Sequence, residues 1–247
     1  MNNNETAFIG TVSVKAVLEN HKREAVELIV DPKKRSRDIA YCIALAKKAG
    51  VPVHFSNKEA MNEEFARGHG GIVLIGKGNT LPTLDSVDHP EGFVCYISGV
   101  EDPFNMGSVC RSLYAAGVST LIIQNRDWRA SQNVLVRSSA GAWERMNIHT
   151  IGSEDELIDW CKKHDLPIYC AFRNNAESIF EVEFPKNFVM VIGGAMRGIS
   201  SHILENADKN IFIPYGRAFR NALDTPSAAA VIAFAWTAKH PWVEKGE

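Results

Sequence analysis

Apolar residues recur along this chain in short runs separated by amphipathic stretches. "AVELIVD" (25–31), "VPVHFS" (51–56) and "GIVLIG" (71–76) are too short for helices and rich in β-branched residues, so they predict buried strands. Between the first two, "SRDIAYCIALAKKAG" (36–50) spaces its apolar positions as a helix does and closes on Gly50, a residue suited to the position just past a helix end. Residues 12–21 and 57–67 predict two more helices. Residues 77–92 then carry Gly, Pro and Asp without any period, which is linker composition and puts a domain boundary near residue 85.

Beyond the linker the alternation resumes on a larger scale. Strands are expected at 92–98, 119–124, 166–172, 187–194 and 209–214. Helices are expected at 106–116, where Asn105 and Gly107 open the segment, and at 153–165, where Ser153 and Glu156 form a capping box. A long apolar helix follows at 226–240, with Thr225 as its cap and Pro226 in its first turn. Strands alternating with helices predict a mainly parallel sheet. The fold class is therefore α/β, with a smaller N-terminal domain (1–85) and a larger C-terminal one (86–247).

Composition narrows the function classes. The chain has 247 residues, 45% hydrophobic and 23% charged, as soluble globular proteins do. Its net charge of −2 means that any nucleic-acid partner must be met by a local patch. The basic run Lys33, Lys34, Arg35 and Arg37 is the candidate patch, its plainer reading being a solvated loop. Five cysteines at no metal-binding spacing argue for reduced thiols and against a metal site. The polar start "MNNNETAFIG" shows no signal peptide, and no apolar run approaches membrane-spanning length. A cytoplasmic location, without membrane contact, is expected.

Three stretches fall at the C-terminal ends of expected strands, where ligands of open α/β sheets bind. They are "DPFNMGSVCRSLYAAGV" (102–118), "VMVIGGAMRGIS" (189–200) and "IFIPYGRAFRNALDTPSAAA" (211–230). "GGAMRG" is not a dinucleotide fingerprint, because it does not follow the first strand and no acid follows at the required distance. GxSxG, Walker and HExxH patterns are absent. Hydrolase, NTPase and metalloprotease chemistries are disfavoured.

In their order and content these stretches resemble the SpoU-type (TrmH-like) RNA ribose 2′-O-methyltransferases of the SPOUT superfamily. Asp102, Pro103, Asn105, Gly107, Arg111, Gly117 and Val118 match the family's first motif, "SSAGAW" (138–143) resembles its Ser-Ala-Gly-Ala segment, and the other two stretches resemble its second and third motifs. The likeness covers about residues 90–240, and the N-terminal part resembles the substrate-binding domain often fused to these enzymes. Two motifs depart from the pattern. Ala195 stands where a Glu is usual, and Ala222-Leu223-Asp224 replaces Ser-Leu-Asn.

The resemblance implies a trefoil-knotted C-terminal domain that acts as a homodimer and methylates a ribose 2′-hydroxyl of rRNA or tRNA with S-adenosylmethionine and no metal. Gly193, Gly194, Gly198, Ile213, Pro214 and Leu223 would hold the cofactor, largely through backbone groups. Arg111 and Asn105 would be catalytic. A guanidinium with a pKa above about 12 stabilises developing negative charge better than it accepts a proton. Asp224 would take over part of the missing Glu's role or, equally, cap the last helix. That helix, with Trp236 and nearby Trp242, is the expected dimer face. The alternative function is a non-catalytic RNA-binding homodimer that has lost methyl transfer, which Ala195, Ala222 and Asp224 would fit.

Overall fold

The computed structural model describes residues 4–65, 67–194 and 196–241. The chain begins with β1 (Glu5–Ile9), α1 (Thr11–Asn20), β2 (Ala25–Val30), α2 (Arg37–Lys48), β3 (Val53–Phe55), α3 (Lys58–Glu64) and β4 (Ile72–Lys77). It continues through β5 (Phe93–Ser98), α4 (Pro103–Ala115), β6 (Thr120–Gln124), α5 (Gln132–Ser138) and α6 (Ala142–Arg145). It ends with β7 (Asn147–Ile151), α7 (Glu154–Lys163), β8 (Ile168–Ala171), β9 (Ala176–Ser178), β10 (Phe188–Gly193), α8 (Ser201–Glu205), β11 (Lys209–Phe212) and α9 (Thr225–Lys239). These elements form two compact units, one of residues 1–80 with 127–145, the other of 81–126 with 146–247.

The first unit is built on a four-stranded sheet in the order β1-β4-β2-β3, with β4 antiparallel to both neighbours and β2 parallel to β3. One face buries Ile9, Ile29, Val73 and Ile75 against Met61 and Phe65. The excursion 127–145 belongs to this unit because α5 packs on β1 and α1, and α6 on α1. A buried ion pair joins it to the early chain. Arg23 donates from Nε to Glu144 at 3.0 Å and from Nη1 to the Gln132 side chain, and its guanidinium lies 4.7 Å from the centre of the Phe8 ring. Burying both charges is tolerable because each is paired and hydrogen-bonded.

The second unit holds a seven-stranded sheet in the order β7-β6-β5-β10-β8-β11-β9. Every adjacent pair is parallel. Its central strands read as continuous apolar runs because both faces are covered. Tyr96, Ile122, Val189 and Val191 pack with Leu157 and Trp160 of α7. Across the sheet, α4 and α9 pack against each other. Trp236 of α9 meets the Phe93 ring at 5.5 Å.

Two helix starts differ from expectation for the same reason. α4 opens at Pro103, capped by the Asp102 carboxylate, which accepts from Asn105 N at 2.8 Å; Asn105 and Gly107 lie inside it. α9 is capped by Asp224, whose carboxylate accepts from Ser227 N at 2.7 Å, so Thr225 is its first residue. In both, an Asp shortly before a Pro in the first turn outcompetes the later candidates, as its carboxylate reaches an unsatisfied N–H. At α7 Ser153 Oγ accepts from Glu156 N at 3.3 Å as expected, while the Glu156 carboxylate reaches back to Gly152 N at 2.9 Å, one residue before the cap.

Candidate functional site

Strands β5, β10, β8 and β11 all run parallel, so their C-terminal ends open onto one edge of the second unit's sheet. β10 ends on Gly193 and Gly194. The Gly194 N–H donates to the Ser98 carbonyl at the end of β5 (2.7 Å), and its carbonyl accepts from Gly198 N at 2.9 Å, folding 194–198 into a tight turn. Only glycine fits. A Cβ on Gly193 would lie 2.4 Å from the Gly198 carbonyl carbon, which is backbone and cannot swing away. Ala195 lies outside the described residues.

Beyond β11, residues 213–224 form a loop closed on itself. Leu223 N–H donates to the Tyr215 hydroxyl at 3.1 Å. The Arg173 guanidinium, just past β8, stacks 4.4 Å from the centre of the Tyr215 ring. α9 then leaves the loop tied to β10, the Thr225 hydroxyl donating to the Gly193 carbonyl at 3.1 Å.

These loops enclose a cavity of about 330 Å³. Gly193, Gly194, Gly198, Ile213 and Leu223 all line it, with Ala222 beside them. Pro214 instead lines an adjoining space of about 310 Å³ shared with Tyr215 and Leu223. Ile192, Ile211 and Ile232 make the main cavity apolar, and its charged groups among the described residues are Arg173 and Arg197. An apolar chamber rimmed by backbone N–H and C=O groups suits a ligand with a flat apolar body and polar edges. Arg173 and Tyr215 were not singled out from the sequence, although both follow strand ends, which is where the signal lay.

The other candidates lie elsewhere. Arg111 and Asn105 are exposed on α4 and do not line the cavity. Among the described residues Arg111 has no hydrogen-bond or ion-pair partner, so its guanidinium is available to a ligand or a second chain. Asp224 makes no ion pair with it within one chain. Its carboxylate caps α9, and hydrogen bonds from the Ser227 side chain and then its N–H hold it below the usual carboxylate range. Lys33, Lys34, Arg35 and Arg37 are exposed in the first unit. All five cysteines are buried and unbridged, and burial pushes the Cys161 and Cys170 thiols up to about 12, far from thiolate nucleophiles. Among the described residues no group of three or more His, Cys, Asp or Glu side chains is placed to hold a metal, and no helix is long and apolar enough to cross a membrane.

Two family models match consecutive stretches of the chain. Residues 92–234 match the model of the SpoU rRNA methylase family, and residues 9–82 match that of the RNA 2′-O ribose methyltransferase substrate-binding domain. The 23S rRNA (guanosine-2′-O-)-methyltransferase RlmB of Yersinia pestis is 26% identical over 234 residues, covering 91% of this chain and 94% of that protein. The mitochondrial rRNA methyltransferase 1 of Schizosaccharomyces pombe is 25% identical, covering 91% of this chain and 87% of its own. The crystal structure of the SpoU methyltransferase AviRb from Streptomyces viridochromogenes, in complex with the cofactor AdoMet, shares the fold, with a TM-score of 0.78 at 18% identity over 96% of this chain and 91% of the other.

Proposed function

As the chain belongs to the SpoU rRNA methylase family, we propose that it transfers a methyl group from S-adenosylmethionine to a ribose 2′-hydroxyl of a structured RNA, rRNA or tRNA. The first unit then acts as the RNA substrate-binding domain and the second as the methyltransferase domain. The boundary expected between 85 and 86 falls instead at 80/81, and 127–145 joins the first unit because α5 and α6 pack on β1 and α1. The observation that carries the reading is the cavity at the ends of β10 and β11, where five of the six residues proposed to hold the cofactor converge.

The residues present fit that cofactor. Its adenine suits the apolar chamber, whose lining includes Gly193, Gly194, Ile213 and Leu223. The Gly193 backbone packs on Gly198 too closely for a Cβ, and Gly198 holds the turn at φ +65°, where an L side chain is strained. When bound, S-adenosylmethionine supplies an electrophilic methyl on a sulfonium. Arg111 stabilises the charge developing on the 2′-oxygen and clamps the adjacent phosphate, a fixed guanidinium being suited to both. Asn105 orients the ribose or Arg111 through its amide. Asp224 orients Arg111 or a ribose hydroxyl across the site in the assembled enzyme. No metal is needed for this chemistry.

Arg111 and the cavity are brought together, in this reading, by a second copy of the chain. The supporting surface is on α4 and α9. Phe104 is 61% exposed, Tyr114 42%, Val231 37% and Phe234 48%, an apolar face on two mutually packed helices. Trp236 is turned inward onto Phe93, so it is not part of that face, and Trp242 lies outside the described residues. The trefoil knot implied by the family resemblance belongs to the same proposal. The unbridged thiols support a reducing compartment, the cytoplasm.

The test is to incubate the protein with tritiated S-adenosylmethionine and total cellular RNA and map the label. A labelled ribose at a defined nucleotide is expected. Cofactor binding without label in any RNA would leave a non-catalytic RNA-binding dimer.

A further inference from the structure

The first unit has an exposed edge that the methyl-transfer chemistry does not use. β3 is one of the sheet's two edge strands, and its side chains alternate. His54 turns to Glu27, 3.6 Å away, and Phe55 projects to the opposite face. At 65% exposure Phe55 is the most exposed aromatic side chain among the described residues. It is the register partner of Val30, the last residue of β2, and Ser56 N–H donates to the Val30 carbonyl at 3.1 Å. The ring therefore stands at the mouth of the loop that carries Lys33, Lys34 and Arg35.

That loop is rigid. Asp31 is buried, its N–H donates to the Gly71 carbonyl (2.9 Å), its carboxylate accepts from Lys33 N (2.9 Å) and its carbonyl from Lys34 N (3.0 Å). The acid is thus used internally while the cations point out. Gly71, at φ +84°, leaves room for the Lys34 stem. A Cβ there would be 2.6 Å from Lys34 Cγ. Buried His69 fixes Gly71 in turn, accepting from its N–H at 3.0 Å and meeting Asn62 at 3.1 Å through its other ring nitrogen. Ser36 caps α2 through the Ile39 N–H at 3.1 Å and so fixes the segment that holds Arg35 and Arg37. Three adjacent strand ends, about 10 Å across, present one open ring and a group of exposed cations.

We propose that this edge is a binding site for an unpaired nucleobase of RNA, with Phe55 stacking the base and Lys33, Lys34, Arg35 and Arg37 taking the flanking phosphates. A ring among cations matches a single strand, which offers a π-face and a phosphate together. A duplex hides the base face. The inference rests on the reading of the chain as an RNA-directed enzyme and identifies what its first unit grips.

The experiment measures binding of the full-length protein to an RNA oligomer of about twelve nucleotides without cofactor, over a range of salt. Phe55→Ala should weaken binding about tenfold and leave the salt dependence unchanged, and Phe55→Trp should restore affinity. An oligomer of the same length made of abasic riboses should bind the wild type and Phe55→Ala equally. Lys33→Ala with Lys34→Ala should instead reduce the salt slope by about 1.4. Wild-type affinity in Phe55→Ala, an equal loss on the abasic oligomer, or a lower light-scattering mass in Phe55→Ala would each overturn the site, the last because the ring then packs a second copy. Calorimetry with S-adenosylmethionine, run separately, tells failure of this site from failure of the methyltransferase reading.

Discussion

The Thr225 hydroxyl donates to the Gly193 carbonyl at 3.1 Å, so the first turn of the last helix is tied to the end of the central strand β10. Thr225 is 5% exposed, and the same carbonyl belongs to a residue lining the cavity. Thr225→Val keeps the shape but leaves that carbonyl without its donor. The expected loss is about 1–2 kcal/mol in stability, with weaker S-adenosylmethionine binding. Thermal unfolding and calorimetry check it, and unchanged values in both would mean that this bond positions nothing.

Gly193→Ala is expected to be worse for the site than for the fold. The added Cβ meets backbone 2.4 Å away, so the turn 194–198 must move. Calorimetry should show cofactor binding lost, while the first unit, far from the change in sequence, keeps its affinity for RNA oligomers.

Arg111→Ala should lower kcat by about 100-fold or more, as removal of a charge-stabilising donor does, with the KM for S-adenosylmethionine unchanged. Arg111→Lys should recover little, because a point charge cannot replace a planar fork. Steady-state kinetics on the labelled RNA separate the two parameters. A change confined to KM would return Arg111 to substrate binding alone.

Glu144→Gln tests the excursion in the first unit. It leaves the Arg23 guanidinium, with its side chain at 0% exposure, without its countercharge. A cost of about 3–5 kcal/mol in urea unfolding is expected. Replacing both partners with apolar residues should cost much less. A small effect of the single change would mean that 127–145 is held by packing alone.

Legibility from the sequence follows the source of each element's stability. β4, β5, β6, β8 and β10 are apolar runs because they are largely buried on their own account, and such runs show in the sequence. β7, "NIHTI", exposes Asn147 and half-exposes His149 and is a strand through pairing with β6; β9 is three residues long and exists through β11. Neither has a pattern of its own. The packing of 127–145 onto the first unit depends on Arg23 and Glu144, 121 positions apart, and no local window contains both. In the site, the glycine turn and the Ile213–Leu223 loop were legible as strand-end motifs. Arg173 was not, because its partner Tyr215 lies on another loop.

Asp224 gives the last test, since two roles converge on one carboxylate. Within the chain it caps α9 through Ser227, and those hydrogen bonds lower its pKa. A group whose folded pKa lies below its unfolded value adds stability that is fully present above about pH 4 and is lost as pH falls through the folded value. Asp224→Asn keeps the cap, because Asn serves there about as well. Stability at neutral pH should therefore change little, and the part of acid sensitivity due to this group should disappear. Methyl transfer then decides between the roles. If Asp224 also orients Arg111 or a ribose hydroxyl across the assembled site, Asp224→Asn lowers kcat although the fold is intact, because an amide oxygen accepts from a guanidinium more weakly than a carboxylate does. Full activity in Asp224→Asn would confine the residue to capping, and Arg111 would then be oriented by the substrate phosphate.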